Sequence, residues 1–482
     1  MLLSRLLDGI PVTGKYLDVD VQEITDNSNN VTVGCLFVCI KGVHFDAHKV
    51  AYEVLQKGAA AVVVERDIGI EKQIVVDDSR AAFALLCKNF FERSSDKLKI
   101  IGVTGTNGKT TTTFVIKDIL ESLGKSCGLI GTVKNLIGEE SVPSVLTTPD
   151  PFVMHALFKR MVNAGLEYCI IEVSSQAMHQ KRLEGVEFEI GILTNISQDH
   201  LDYHGSIEEY IAAKKQLFYA CKKAVINNDE ERAPYFIDGI SAKVFSYSAL
   251  NASMFKASGV KYNSDSVSYT LETGTESYPV RFNIPGTFSV YNSLSAVTAV
   301  CSLGFPVQRV SAAAEKAKSV PGRLETVKRG QPYNIIIDYA HTPDGLEKAI
   351  EAVRSFTSGR VITVFGCGGD RDSTKRPLMG KIACELSDIT IVTSDNPRSE
   401  NPQNIIDEIL EGIEDNKKNL FVEPDRTQAI ALALKKAKKG DTVLLAGKGH
   451  ETYQIIGREK KHYDEREVIS ELLSGEFNDV KL

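Results

Sequence analysis

The sequence predicts an α/β protein of three domains: an N-terminal α/β domain over residues 1–97, a central P-loop domain with a mostly parallel sheet over 98–328, and a C-terminal Rossmann-like domain over 329–482. Three observations support this expectation. A chain of 482 residues exceeds what one hydrophobic core usually holds together. Short apolar runs alternate with helical stretches along most of its length, which is the pattern of parallel strands covered by helices. Finally, residues 103–113 read V-T-G-T-N-G-K-T-T-T-T behind the apolar run 98–101, so a buried strand turns through glycines into a helix start.

Taken in chain order, the first block offers strands at 35–40 and 60–64 with a helix between them, and it ends in the polar stretch 92–97. The central block opens on the glycine turn and continues with strands at 168–173, 190–194 and 224–227, separated by helical stretches. Residues 250–284 are different in kind: polar and β-rich, with turn signals at 263–265 and at Gly274, they predict a small antiparallel excursion. The third block repeats strand then helix, with strands at 334–338, 361–365, 389–393 and 442–446. That repeat predicts a second doubly wound sheet, whose ligands bind at the carboxyl ends of its strands.

Composition narrows the class. Hydrophobic residues at 43% and charged residues at 25% are ordinary for a globular protein, and a net charge of −7 argues against a nucleic-acid binder that relies on a basic face. Nine cysteines with no C-x-x-C pair fit reduced thiols better than a disulfide framework or zinc site, and Cys35 and Cys39 fall in an apolar stretch as core residues. No run of about 18 apolar residues occurs, and the apolar start is too short for a signal peptide. A cytoplasmic protein without a membrane segment is expected.

The glycine turn predicts a nucleotide triphosphate site. Gly105 and Gly108 let the backbone bend and approach closely, the freed N–H groups of 105–111 (Gly105, Thr106, Asn107, Gly108, Lys109, Thr110, Thr111) face the phosphates, Lys109 adds a point charge, and the Thr110 hydroxyl can ligate Mg²⁺. The strict P-loop pattern asks for glycine five positions before Gly108, where this chain has Val103. A metal needs further oxygen ligands. Glu172 ends a predicted strand where its carboxylate can reach Mg²⁺, or else it is a solvated strand-end charge. The polar loop T-N-I-S-Q-D-H-L-D-Y-H at 194–204 is rich in ligand types, although His200 alone reads as an ordinary loop histidine.

The motifs T-G-T-N-G-K-T-T, E-V-S-S, the 194–204 loop and A-K-K-Q-L-F at 213–218 together resemble the Mur ligase family, ATP-dependent enzymes that build the peptidoglycan stem peptide. The similarity continues through P-G-T-F-S-V-Y-N at 285–292, P-G-R-L-E at 321–325, D-Y-A-H-T-P at 338–343, F-G-C-G-G-D-R-D at 365–372, D-N-P-R at 395–398 and G-K-G-H-E at 447–451. It implies that Lys109, Glu172, His200 and Lys214 form the catalytic centre. Mg²⁺ would be held there by Thr110, Glu172, His200 and a carbamate on Lys214 (N6-carboxylysine). It implies that Asn292, Arg323, Asp338 and His341 also serve ATP. From the same resemblance Ser28, Thr147, Thr148, Ser174, Gln180 and Arg182 contact UDP-N-acetylmuramoyl-L-alanyl-D-glutamate, with Gly34 and the loop 42–48 near the uridine. The first-domain pattern departs from the family's: its D-S-R reads Asn27-Ser28-Asn29, and its D-G-H reads Asp46-Ala47-His48. The D-N-P-R stretch resembles the diaminopimelate-adding members, which implies an acceptor pocket of Arg371, Asp395, Asn396, Pro397, Arg398, Gly447 and Glu451. The partners implied are these small molecules, with no nucleic acid, no membrane and a monomeric chain.

Two other functions fit parts of this pattern. A sister ligase such as folylpolyglutamate synthetase shares the G-T-N-G-K loop but not a UDP-sugar substrate, and a nucleotide-gated binding protein needs a P-loop but no acceptor amine.

Overall fold

The computed structural model describes residues 1–43, 45–263, 265–274, 276–414 and 419–475. It is an α/β structure that divides into two compact units, residues 1–255 with 295–306, and residues 256–294 with 307–482. His44, within the 42–48 loop, lies outside the described residues.

The first unit begins with four parallel strands paired in chain order, Glu23–Thr25, Cys35–Val38, Ala61–Val64 and Gln73–Val75. Cys35–Val38 and Ala61–Val64 are buried at every position, because helices cover both faces and leave no polar side to alternate. One face packs Leu3, Leu6, Phe83 and Leu86, and the other packs Ala51 and Val54. The helix Ser79–Phe90 starts where the Asp78 side chain accepts the Ala81 N–H.

A second sheet in this unit orders its strands Lys243–Ser248, Cys221–Asn227, Phe188–Leu193, Lys99–Thr104, Tyr168–Glu172 and Cys127–Ile130, all parallel, then adds Asn135–Ile137 and Glu140–Val142 antiparallel. Lys99–Thr104, first in sequence, is therefore central in space. Its neighbours end at Glu172 and Leu193, so the turn after Thr104, the end of the Glu172 strand and the loop after Leu193 share one edge of the sheet. This is where open α/β sheets bind ligands.

The second unit contains the expected antiparallel excursion, Phe255–Tyr262, Val267–Thr273 and Glu276–Phe282, whose first residue belongs to the first unit. Its main sheet orders Glu325–Thr326, Asn334–Asp338, Thr442–Ala446, Val361–Phe365, Ile389–Val392 and Leu420–Val422, parallel except for the first strand. One face packs Leu346, Ile350, Met379 and Ile406, and the other packs Ile430, Leu434 and Ile469. Three helices thus cover one face and two the other, the doubly wound arrangement the strand–helix repeat predicted. All nine cysteines are free thiols, Cys35 and Cys39 among the buried ones. Among the described residues no helix is long and apolar enough to cross a membrane.

Candidate active site

The strand Lys99–Thr104 leads into a turn held by side chains from the neighbouring loop. Thr194 Oγ1 donates to the Asn107 carbonyl (2.6 Å), and Asn195 grips Asn107 twice, accepting its N–H (3.0 Å) and donating to its carbonyl (3.0 Å). Gly105 has φ 140°, and a Cβ there would lie 1.9 Å from Thr194 Oγ1, so only glycine fits. Gly108, φ 85°, precedes the helix Lys109–Ser122, whose N-terminus follows the turn. Val103, the departure from the strict pattern, is a fully buried strand residue one step before the chain starts to turn. Its side chain belongs to the core and not to the loop.

Two lysines meet at this turn. Lys109 Nζ donates to the carbonyls of Gly105 (2.9 Å) and Thr106 (2.7 Å), and Lys214 Nζ donates to the same Gly105 carbonyl (2.9 Å). Burial, with the Lys109 charge beside it, pushes the Lys214 ammonium far below the ordinary lysine range. Tyr210, one helical turn before Lys214, lays its ring 4.4 Å from Lys214 Nζ and shares a hydrogen bond with Thr106 Oγ1 (2.9 Å). Sequence reasoning passed over Tyr210, Asn195 and Thr194 as individual contributors. The i, i+4 spacing of Tyr210 from Lys214 was the available signal for the first.

Glu172 is fully buried at its strand end. Its carboxylate accepts from Thr110 Oγ1 (2.9 Å), the Thr132 N–H (2.9 Å) and Thr132 Oγ1 (3.0 Å). All three donors are neutral, and no cationic side chain pairs with it among the described residues. A buried carboxylate beside a hydroxyl and lacking a counter-charge is a setting that a divalent cation completes. Among the described residues no three His, Cys, Asp or Glu side chains cluster as a full metal cage. His200 holds a left-handed backbone, φ 53°, with its ring 3.5 Å from Asp199.

A cavity of about 350 Å³ opens beside these groups, lined by Lys109, Lys214, His200, Thr147, Thr148, Ser174, Gln180 and Arg182 together with Leu146, Ser175 and Gln176. Five of the six residues expected to contact the nucleotide-sugar dipeptide thus share one cavity with three of the expected catalytic groups. They are also tied to one another and to Glu172. Thr148 Oγ1 donates to the Glu172 carbonyl (2.7 Å) and accepts the Ser174 N–H (3.0 Å), while Arg182 donates to the Thr148 carbonyl (2.8 Å) and to Gln180 Oε1 (2.8 Å). The sixth, Ser28, is half-buried in the loop after Glu23–Thr25 and does not line this cavity.

In the second unit the expected residues also gather at strand ends. Asp338 ends its strand and accepts the N–H groups of Leu324 (2.8 Å) and Ala340 (2.9 Å). Arg323 stacks 5.1 Å from the Tyr339 ring, and the His341 ring bonds the Tyr339 carbonyl (2.8 Å). Asn292 lies within the helix Thr287–Ser302. At the next strand ends, Asn396 Nδ2 donates to Glu451 Oε2 (2.8 Å). Gly447 has φ 113°, and a Cβ there would lie 2.5 Å from Asp395 Oδ2. Lys448, which sequence reasoning did not single out, is fully buried between Glu451 (3.3 Å), Asn396 Oδ1 (3.2 Å) and Asp395 (3.7 Å). Arg371 is exposed, and Arg398 and the buried Pro397 sit in the facing loop.

The Mur ligase middle domain model matches residues 103–300, and the model for the Mur ligase glutamate ligase domain matches 322–449. A Clostridium perfringens protein, UDP-N-acetylmuramoyl-L-alanyl-D-glutamate–2,6-diaminopimelate ligase, is 44% identical over 98% of this chain and 100% of its own. A solved structure of a ligase of that name is 31% identical, with TM-score 0.71, covering 95% of this chain and 97% of its own. A MurF ligase from Thermotoga maritima in complex with ADP shares the fold at TM-score 0.59 and 19% identity, over 95% of this chain and 97% of its own.

Proposed function

The chain belongs to the Mur ligase family, and from that premise we infer that it joins meso-2,6-diaminopimelate to UDP-N-acetylmuramoyl-L-alanyl-D-glutamate, with ATP as co-substrate. The observation that carries this reading is the cavity in which Lys109, Lys214 and His200 stand with Thr147, Thr148, Ser174, Gln180 and Arg182.

The γ-carboxylate of the substrate D-glutamate attacks the γ-phosphoryl group of ATP and forms an acyl phosphate. The acceptor amine then attacks that carbonyl, and the tetrahedral intermediate expels phosphate. No covalent enzyme nucleophile is needed. Lys109 exchanges its carbonyl partners for phosphate oxygens, and the N–H groups of the turn and helix start face the same charge. Arg182, Thr148 and their neighbours hold the dipeptide in place, and orientation of this kind supplies roughly 7–11 kcal/mol. Mg²⁺, when bound, neutralises charge on the transferring group. Thr110, Glu172, His200 and a carbamate on Lys214 are the groups to hold it. By the family resemblance we assign Asn292, Arg323, Asp338 and His341 to the nucleotide, and Ser28 to the uridine end. Arg371, Asp395, Asn396, Pro397, Arg398, Gly447 and Glu451 form the acceptor pocket. A guanidinium fork there suits the second carboxylate that distinguishes meso-diaminopimelate from lysine.

The division into domains 1–97, 98–328 and 329–482 remains our reading, supported by the separate sheets. So does a monomer working in the cytoplasm on small molecules, without nucleic-acid or membrane partners. Phosphate release from ATP with the UDP-linked dipeptide, compared for meso-diaminopimelate, L-lysine and L-ornithine, tests the assignment. Strong preference for meso-diaminopimelate is expected, and equal use of L-lysine would overturn it.

A further inference from the structure

Seven non-glycine residues hold a left-handed backbone among the described residues, and two of them, Asp370 (φ 53°) and Arg398 (φ 50°), lie in loops that face each other. L-residues other than glycine, asparagine and aspartate adopt this conformation rarely, and it persists where surrounding contacts over-determine it. The contacts here are reciprocal. Asp370 accepts from the Ser399 hydroxyl (2.6 Å) and the Ser399 N–H (3.2 Å), directly after Arg398. Arg398 Nη1 donates back to the Gly369 carbonyl (2.7 Å), directly before Asp370, and the Gly369 N–H donates to the Asn396 carbonyl (2.9 Å). A Cβ on Gly369 would lie 2.0 Å from the Pro397 carbonyl oxygen, so the loops touch backbone to backbone.

This lacing is anchored from below. The Asp370 N–H donates to Glu400, whose carboxylate takes a bidentate pair from the buried Arg376 (2.9 Å each). Arg376 also binds Glu408 (2.8 Å) and the Gly368 carbonyl (3.3 Å). On the other side Arg398 is held by a hairpin: its N–H donates to Ile455 and its carbonyl accepts from Gly457. With Nη1 committed to Gly369, the Nε and Nη2 edge of Arg398 has no protein acceptor among the described residues. That edge is a carboxylate-sized fork, and its aim is set by the left-handed turn beneath it.

We propose that Asp370 is a positioning residue for acceptor selection: by clasping Ser399 it locks Arg398 in its left-handed conformation and points the guanidinium edge at the acceptor's distal carboxylate. The inference rests on the reading of Arg398 as an acceptor contact. Asp370 is exposed and carries no core packing, so its replacement tests aim and not folding.

The test measures KM for meso-diaminopimelate, KM for ATP and Tm in Asp370→Ala, Asp370→Asn, Arg398→Ala and the Asp370→Ala/Arg398→Ala pair. Asp370→Ala is expected to raise the diaminopimelate KM about tenfold, the size of one lost hydrogen bond to a charged group. KM for ATP stays unchanged, Tm falls only by the small cost of alanine in a left-handed backbone, and the preference over L-lysine falls by the same factor. Asp370→Asn, which tolerates the left-handed backbone and keeps one acceptor, is expected to restore part of the loss. In the Arg398→Ala background Asp370→Ala adds nothing further. If Arg398→Ala alters diaminopimelate use but Asp370→Ala does not, or if the two losses multiply, the clasp is wrong. If Arg398→Ala itself leaves the preference over lysine intact, the pocket reading fails, and the clasp with it.

Discussion

Lys109 and Lys214 share the Gly105 carbonyl yet differ in how visible they were in the sequence. Lys109 follows a glycine at the start of a helix, and that local context alone assigns it to phosphate. Lys109→Ala is expected to lower turnover at saturating ATP by about 10²–10³-fold, the loss of one preorganised charge-stabilising donor, with little change in Tm. Near-wild-type turnover would refute the phosphate assignment. Lys214 stands before another lysine on a helix, and the residues alone suggest a solvated face. Only the resemblance marked it, because its burial depends on contacts over a hundred residues away. Burial disfavours the charged form of this amine, the neutral form is a nucleophile for CO₂, and carbamylation turns it into an anion suited to a metal. Activity is therefore expected to fall in CO₂-depleted buffer and return with bicarbonate. Lys214→Ala should lose activity, with short carboxylates restoring part of it. Full activity without CO₂, together with no carbamate carbon signal from ¹³C-bicarbonate, would exclude the modification.

Among the elements, strands were legible where they are buried on both faces. The runs at 334–338, 361–365 and 442–446 coincide with the observed strands, because unbroken apolar sequence between helices admits little else. Other ends shifted by a residue or more: the strand expected at 190–194 is Phe188–Leu193. Thr194 lies just past the strand end with its hydroxyl on the Asn107 carbonyl, a partner that no local pattern reveals. The turn also explains the imperfect P-loop pattern. The backbone first needs freedom at Gly105, not at Val103. Gly105→Ala is accordingly expected to fail twice: it strains a φ of 140° and drives a methyl into Thr194 and the Asn195 backbone. A loss of about 1–3 kcal/mol in stability, typical of overpacking, should accompany weakened ATP binding. Unchanged nucleotide affinity in that variant would show that the Thr194 contact does not shape the loop. Val103→Gly, in contrast, removes core packing and should lower Tm without improving ATP binding.

At the scale of the whole molecule, the class of fold could be read but the order of strands could not. Placing Lys99–Thr104 between Tyr168–Glu172 and Phe188–Leu193 is a pairing across roughly 70 to 90 residues, and periodicity carries no information about partners so distant. The same blindness hid His155. It lies in the helix Pro151–Asn163, fully buried, with neither ring nitrogen partnered among the described residues. Its helix packs on the N-terminal part of the chain: Phe152 meets Phe90 and Phe91, and Lys88 lies near the imidazole. Burial, reinforced by the Lys88 charge, pushes the His155 pKa from 6.5 down to about 3. In the unfolded chain the ring titrates at the ordinary value, so between these limits the unfolded state binds the extra proton. Stability from this residue is complete above about pH 6.5 and is lost progressively as pH falls toward 3. At pH 5 the loss amounts to about 2 kcal/mol, or roughly 4 °C in the Tm of the unit that holds it. His155→Phe keeps a ring of similar shape beside Phe158, 5.5 Å away, and removes the proton site. The variant should therefore lose less Tm than the wild type between pH 7 and pH 5, the difference being this single titration. Identical acid slopes for the two proteins would mean that His155 finds a partner or water in the folded state and does not oppose protonation.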